Sequence, residues 1–372
     1  MMSEHRCRAC RGQAGHTVLD LGKQPASDHF PSYDDPGPDV VYPLEMWLCS
    51  RCGLAQLLDD PTAAREPKGA EPAALVEQAA DAVRRVSKAG LLSAGARVAE
   101  YGSPHGGSWL GLLERQGLKS VEEDSEADVI LDCFGMMHAA DQAAALIERV
   151  DRLAPDGVLL LQYHSLDTII RTGQWNALRH GHYAYYSTTA LTRMLAEVGC
   201  SPRTGWRFDL YGGTVLLAAR RDGSGQASMP DDVVRGLLAA EATTGVRDPN
   251  VVAGLQRDMQ AQASGVHDWL AAELAAGRTV VGYGAASRAV ALLCKAQVDR
   301  RLLPAVADAS PFKHGLRMPG TDIPIISPAE LIRHRPDAVL VFVADLIPEI
   351  RAALPGIAAN GGRWVAADAL AI

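Results

Sequence analysis

The sequence predicts an α/β protein in three parts: a small metal-held module, a middle domain with a parallel sheet, and a C-terminal domain with a second sheet of the same kind. Three observations lead there. Two CxxC pairs, Cys7/Cys10 and Cys49/Cys52, fall within the first sixty residues. Short apolar strands alternate with helical segments from Ala96 onward, and the same rhythm returns after Arg278. The expected boundaries are 1–60, 61–225 and 226–372.

Composition narrows the function classes. The 372 residues carry 36 Lys and Arg against 44 Asp and Glu, a net charge of −8, so no basic surface for a nucleic-acid partner is expected. The 48% hydrophobic content excludes a disordered chain. No stretch approaches the roughly 20 apolar residues of a membrane span, and the segment MMSEHRCRAC is charged, so no membrane partner and a cytoplasmic location are expected.

In the first part the runs HTVLDLG and VYPLEMWLC read as short strands broken by Pro, Asp and Gly. Each CxxC turn directs two thiolates at one ion, and 38 residues separate the inner pair. Cys7, Cys10, Cys49 and Cys52 therefore read as a closed tetrahedral zinc site with a structural role. Two redox pairs are the other reading. Cys133, Cys200 and Cys294 sit among apolar neighbours and read as core residues. A helix follows, with Leu75, Ala79, Val83 and Val86 spaced for one buried face.

The middle part runs strand ARVAEYG, helix GGSWLGLLERQG, strand ADVILDCF, a helix to Leu153, the turn Ala154 to Gly157, strand VLLLQYH, a helix at Thr188–Val198 and the strand TVLLAARR. A glycine turn, Glu100 to Gly107, stands between strand and helix, where a backbone approaches a ligand; a turn that only packs helix on strand gives the same pattern. The segment RHGHYAYYS is the densest polar and aromatic cluster, carrying His180, His182, Tyr183, Tyr185 and Tyr186. A histidine there suits a general base. A surface loop with histidines by chance is the alternative, and spacing does not choose between the two imidazoles.

A helical stretch near Val233–Ala276, with a break at DPN, leads to the last part: RTVVGYG, LLPAVADAS, DAVLVFVAD and RWVAADAL. These predict a smaller Rossmann-like domain. The turn from Gly282 to Arg288, with Lys313 after the next strand, would hold a phosphate or nucleotide through backbone amides, Ser287, Arg288 and Lys313; packing of helix on strand explains the glycines equally well.

Taken together the chain resembles the S-adenosylmethionine-dependent C-methyltransferases of nucleotide-linked deoxyketosugars. The likeness runs through CxxC, LDLGxQPxSDxF as Leu19 to Phe30, Tyr42-Pro43-Leu44, the second CxxC with Gly53 and Gln56-Leu57, and ExGxxxG as Glu100, Gly102 and Gly106. It continues through His138, APDG at Ala154 to Gly157, an HxxYFS-like stretch at His182 to Ser187, GYGA at Gly282 to Ala285, and DxSPxKxGxxxPGxxIP from Asp308 to Pro324. The resemblance implies a zinc module and a C-terminal Rossmann-like domain flanking a class I methyltransferase fold. It implies a methyl-donor site at Glu100, Gly102, Gly106, Glu123 and His138, and a nucleotide-linked sugar or related small molecule between domains. Proton abstraction would fall to the histidine matching His182, with His180, Tyr185 or Tyr211 donating hydrogen bonds to the enolate oxygen.

The middle domain departs from that pattern. Only 26 positions separate Gly102 from Asp128, and two strand-helix crossings of about 30 residues each do not fit. One fits, so a truncated domain is expected, in which Glu122 or Glu123 ends a short second strand and meets a ribose. The pattern's Asn-Asp is Pro104-His105, its strand-four Asn is Phe134, its Tyr and Glu before the base are Arg179 and Gly181, its HGG is Tyr211-Gly212-Gly213, and its Lys is Arg288. Loss of methyl transfer, leaving isomerase-like or epimerase-like proton chemistry or a non-catalytic partner, is the alternative function.

Overall fold

The computed structural model describes residues 5–35, 37–62, 71–104, 106–122, 125–223 and 229–370. The first sheet starts as an antiparallel pair, β1 (Gly15–Pro25) and β2 (Val41–Cys49), with β3 (Ala55–Leu57) returning along β2. Alternation along β2 sends Leu44, Met46 and Leu48 into one core and Trp47 into another. The Trp47 ring covers Gly15 so closely that a Cβ there would lie 2.1 Å from it.

The middle part opens with α1 (Ala73–Lys88), whose buried residues include Ala79, Val83 and Val86 as the spacing predicts. β4 (Arg97–Gly102), α2 (Leu110–Arg115), the two-residue β5 (Lys119–Ser120) and β6 (Ala127–Cys133) follow. β5 pairs with one side of β4 and β6 with the other, both parallel. The single crossing that the chain length allows is thus β4-α2-β5, and the described chain passes from β5 to β6 without another strand.

After α3 (Gln142–Asp151) comes β7 (Leu153–His164). The turn expected at Ala154 to Gly157 is an irregularity inside this strand: Ala127 pairs with Leu153, and Val129 already with Val158. Beyond it lie α4 (Leu166–Arg171), β8 (Ala184–Tyr185), α5 (Thr188–Glu197), β9 (Cys200–Phe208) and β10 (Thr214–Arg221). The sheet order is β5-β4-β6-β7-β10-β9. Two features differ from the expectation of an all-parallel sheet closed by TVLLAARR. β10 lies between β7 and β9 and is antiparallel to both, and the edge belongs to β9. The β9 sequence CSPRTGWRF carries Pro202 and Gly205, residues that an edge strand tolerates and that hide it from pattern reading.

β8 does not join that sheet. Ala184 and Tyr185 pair with Gln56 and Ala55, so β8 completes the first sheet in the order β1-β2-β3-β8.

The helical connector breaks where the DPN triplet predicts: α6 (Asp232–Thr244) ends on Gly245 in the left-handed region, Asp248 caps α7 (Pro249–Val252), and α8 (Gly254–Ala275) follows. Then come β11 (Val280–Tyr283), α9 (Ser287–Lys295), β12 (Val306–Ala307), β13 (Ile325–Ile326), α10 (Pro328–His334), β14 (Ala338–Val341), α11 (Ile347–Ala353), α12 (Pro355–Ala359) and β15 (Arg363–Ala366). Their parallel sheet has the order β13-β12-β11-β14-β15, a Rossmann-like arrangement. One core joins β1 and β2 to α8 and α9. A buried bidentate pair, Arg317 with Asp39 at 2.7 Å for each nitrogen, fastens the segment before β2 to the C-terminal part.

Candidate active site

The four predicted thiols converge. All their sulfurs lie within 4.8 Å of one another, with Cys7 to Cys52 at 3.5 Å and Cys10 to Cys49 at 3.6 Å. Zn–S bonds of about 2.3 Å in a tetrahedron place sulfurs about 3.8 Å apart, so the cage fits zinc. Arg11 and Gly53, each just after its CxxC, take positive φ and turn the chain back under the sulfurs. With four protein ligands the site is closed, and its role is structural.

A second site lies where the two parallel sheets meet. In the middle sheet the strand order reverses between β4 and β6, and in the C-terminal sheet between β11 and β14. Crevices at such reversals, beyond the carboxyl ends of the strands, are where α/β sheets bind ligands. Both open into one cleft of about 300 Å³, to which the first contributes Ser103, Gly106 and Phe134 and the second Gly284, Val343 and Asp345.

The RHGHYAYYS segment enters this cleft because β8 pins it to β3. His182, 5% exposed, lines the cleft, and its Nε2 accepts from Arg179 Nε at 2.9 Å. That bond keeps the His182 proton on Nδ1. His138 stands edge-on to His182 with ring centroids 4.5 Å apart, and its Nδ1–H donates to the Gly181 carbonyl at 2.9 Å. A carbonyl only accepts, so His138 holds the tautomer with its lone pair on Nε2. Tyr185 lines the cleft with its hydroxyl accepting from Arg179 N at 3.0 Å, and burial pushes its pKa up. His180 lies outside the cleft lining; its Nε2 donates to the Pro43 carbonyl at 3.1 Å and its ring meets Tyr42.

Tyr211 sits at φ 56°, ψ 29°, an uncommon conformation for a tyrosine, with its ring edge-on to Phe134. The Arg288 guanidinium lies 5.5 Å from the centre of the same ring. Ser287 Oγ accepts from Arg179 Nη1 at 2.5 Å, a bond between the middle and C-terminal parts. Lys313 is buried and turned inward, donating to the Ala285 carbonyl at 2.7 Å and lying over Phe30. Gly282 is a packing glycine, since a Cβ there would meet Phe342 and Val306 at 2.9 Å; Gly284, by contrast, lines the cleft.

On the donor side, Glu100 is occupied within its own turn, accepting from Ser108 Oγ at 2.5 Å and Trp109 N at 2.6 Å. It shapes the glycine turn. A Cβ on Gly102 or Gly106 would meet nothing within 4 Å, so open space lies over the turn. That bare backbone leaves room for a ligand such as S-adenosylmethionine, while β5 is only two residues long. Glu123 lies outside the described residues, and Glu122 is exposed, with its carbonyl accepting from Arg152.

Three family models match in succession: a zinc binding domain over residues 7–65, a methyltransferase domain over 73–204 and a C-methyltransferase C-terminal domain over 209–367. Together these matches support a transferase of methyltransferase type. The chain is 23% identical to C-methyltransferase NovU of Streptomyces niveus over 96% of its own length and 94% of NovU. Among solved structures, magnesium protoporphyrin IX methyltransferase of Synechocystis PCC 6803 with bound SAH is similar over 40% of this chain and 84% of its own, at 10% identity and a TM-score of 0.30. The tRNA methyltransferase TrmK of B. subtilis is similar over 54% and 88%, at 13% identity and 0.25.

Arg179, His164 and Asp345 were not among the candidate site residues of the sequence. His164 ends β7 in the cleft, bonded to the Tyr211 backbone, and burial together with Arg288 and Arg179 pushes its pKa down to about 3. Asp345 follows β14 at the reversal of the strand order, and burial raises its pKa. The apolar run DAVLVFV ahead of it is the signal that marks the position. No helix among the described residues is long and apolar enough to cross a membrane.

Proposed function

We infer that this chain methylates a carbon next to the carbonyl of a nucleotide-linked ketosugar. The observation that carries the reading is the single cleft shared by two strand-order reversals, which gives a methyl donor and a nucleotide-linked acceptor one meeting place. S-adenosylmethionine bound over Gly102, Gly106 and Gly107 would supply an electrophilic methyl group.

The chain's own residues would prepare the acceptor. The edge-on pair His138 and His182 supplies the base that takes the α-proton, and Arg179, bonded to His182, holds that imidazole in place. Of the two imidazoles, that of His182 already accepts from Arg179 at Nε2, and that of His138 donates to the Gly181 carbonyl through Nδ1. Tyr185 and Tyr211 wall the pocket, and Ser287 with Arg288 stand at the end from which the nucleotide enters.

The test is transfer of a labelled methyl group from S-adenosylmethionine to nucleotide-linked 4-ketosugars, followed by mass and carbon NMR of the product. A new C–C bond next to the carbonyl is expected. Exchange of the α-proton with solvent deuterium but no methyl transfer would replace this reading by isomerisation or epimerisation, and neither activity would leave a non-catalytic role.

A further inference from the structure

The cleft lining carries Glu71, Asp308 and Asp345 beside Arg179, Arg288 and Lys313, yet among the described residues no acid pairs with either arginine. The chain's other deeply placed arginines are matched, Arg149 by Asp132 at 2.7 Å and Arg317 by Asp39 at 2.7 Å. Arg179 and Arg288 are not: among the described residues neither forms an ion pair, and Arg288 makes no hydrogen bond at all, its guanidinium resting over Tyr211. The two come from different sheets, Arg179 from the loop before β8 and Arg288 from the first turn of α9. They feel each other, because burial and then the charge of Arg179 make Arg288 less basic. Asp345 and Asp368 act on Arg288 only from beyond contact distance. Beside the Tyr211 ring, Nε2 of His164 is enclosed and lacks a partner among the described residues.

Like charges held together in a partly dry cleft are costly unless a bound anion compensates them. Two planar forks suit phosphate or carboxylate oxygens. Lys313 lines the same cleft but donates to the Ala285 carbonyl and lies over Phe30, whereas among the described residues Arg288 has every guanidinium N–H open and Arg179 keeps those not given to His182 and Ser287.

We propose that Arg179 and Arg288 form an anion clamp across the cleft, which grips a phosphate or carboxylate group of the acceptor and thereby fixes it beside His182. The clamp rests on the reading of this cleft as the acceptor site. It narrows the acceptor to one that carries an anion within reach of the reacting carbon.

The probes are inorganic pyrophosphate and glucuronate, titrated calorimetrically into the zinc-loaded protein at low and at physiological salt. Pyrophosphate is expected to bind, to lose affinity as salt rises, and to bind more than tenfold more weakly to Arg179→Gln and to Arg288→Gln, with Arg288→Lys recovering part of the loss. Arginine-dependent binding of glucuronate in place of pyrophosphate supports the clamp and identifies a carboxylate as its natural group. No binding of either probe, or binding that ignores both substitutions in variants with unchanged zinc content and thermal midpoint, overturns it. The two readings separate cleanly. Arginine-dependent anion binding without turnover of any nucleotide-linked ketosugar keeps the clamp and removes the ketosugar. Turnover by Arg179→Gln and Arg288→Gln with unchanged KM keeps the ketosugar and removes the clamp.

Discussion

Nε of Arg179 donates to Nε2 of His182 across 2.9 Å, so a permanently charged group occupies the nitrogen that a proton-abstracting imidazole would use. In the resembled family a tyrosine stands at this position, and on the proposed reading the exchange passes proton abstraction from His182 to its neighbour His138. Two variants separate the imidazoles. His138→Asn is expected to slow solvent deuterium exchange at the α-carbon of a ketosugar nucleotide by at least about 100-fold. His182→Asn, which keeps a hydrogen-bonding side chain beside Arg179, should slow it less. The reverse ranking, read by proton NMR without methyl donor, would return the base to His182.

The zinc cage is expected to control the cleft from a distance. The sheet that carries the cysteines ends on β8, and β8 begins two residues after His182. Cys49→Ser should drop bound zinc below one ion per chain and abolish cooperative folding of the N-terminal sheet, since structural zinc contributes on the order of 10 kcal/mol in small modules. Methyl transfer should disappear with it. Full activity in a zinc-free variant, checked by elemental analysis, would contradict this.

Stability should fall toward acid in a way that His164 explains. Its pKa is about 3 in the folded chain against 6.5 ordinarily, so the fold resists protonating it. The contribution is complete above pH 6.5 and disappears as the pH falls from 6.5 toward 3. Between pH 7 and pH 5 the loss amounts to about 2 kcal/mol for this group alone. Urea unfolding of the parent and of His164→Gln at both pH values measures it: the parent should lose more than the variant, and parallel losses would assign the acid sensitivity elsewhere.

Arg317→Met leaves Asp39 without its partner in a nearly buried setting. A loss of about 3 kcal/mol in unfolding free energy is expected. Asp39→Asn in the same background should recover part of it. Additive losses would show that the pair is not coupled.

Long-range order was readable in the sequence wherever it was written as local punctuation. The cysteine pairs, the glycine turns after β4 and β11, and the DPN break between α6 and α8 each depend on a few neighbouring residues, and each stands where the pattern puts it. The truncation after Gly102 was a matter of chain length alone. What escaped was contact between distant segments. Nothing local in Ala184-Tyr185 says that they pair with Ala55 and Gln56, nor in Lys313 that its ammonium turns inward to Ala285. Arg179 was visible only as a departure from a pattern, and its partners His182 and Ser287 lie on separate elements.

The union of β3 with β8 also bears on the order in which the chain can mature. During synthesis the cysteines and β1 to β3 emerge well before β8, and their sheet is finished only after the ribosome has made Tyr185. Until then β3 has an open edge, and pairing it requires closing a loop of more than a hundred residues, a slow event set by contact order. The segment that carries His182 is therefore seated late, and a nascent chain with zinc already bound still lacks a completed cleft.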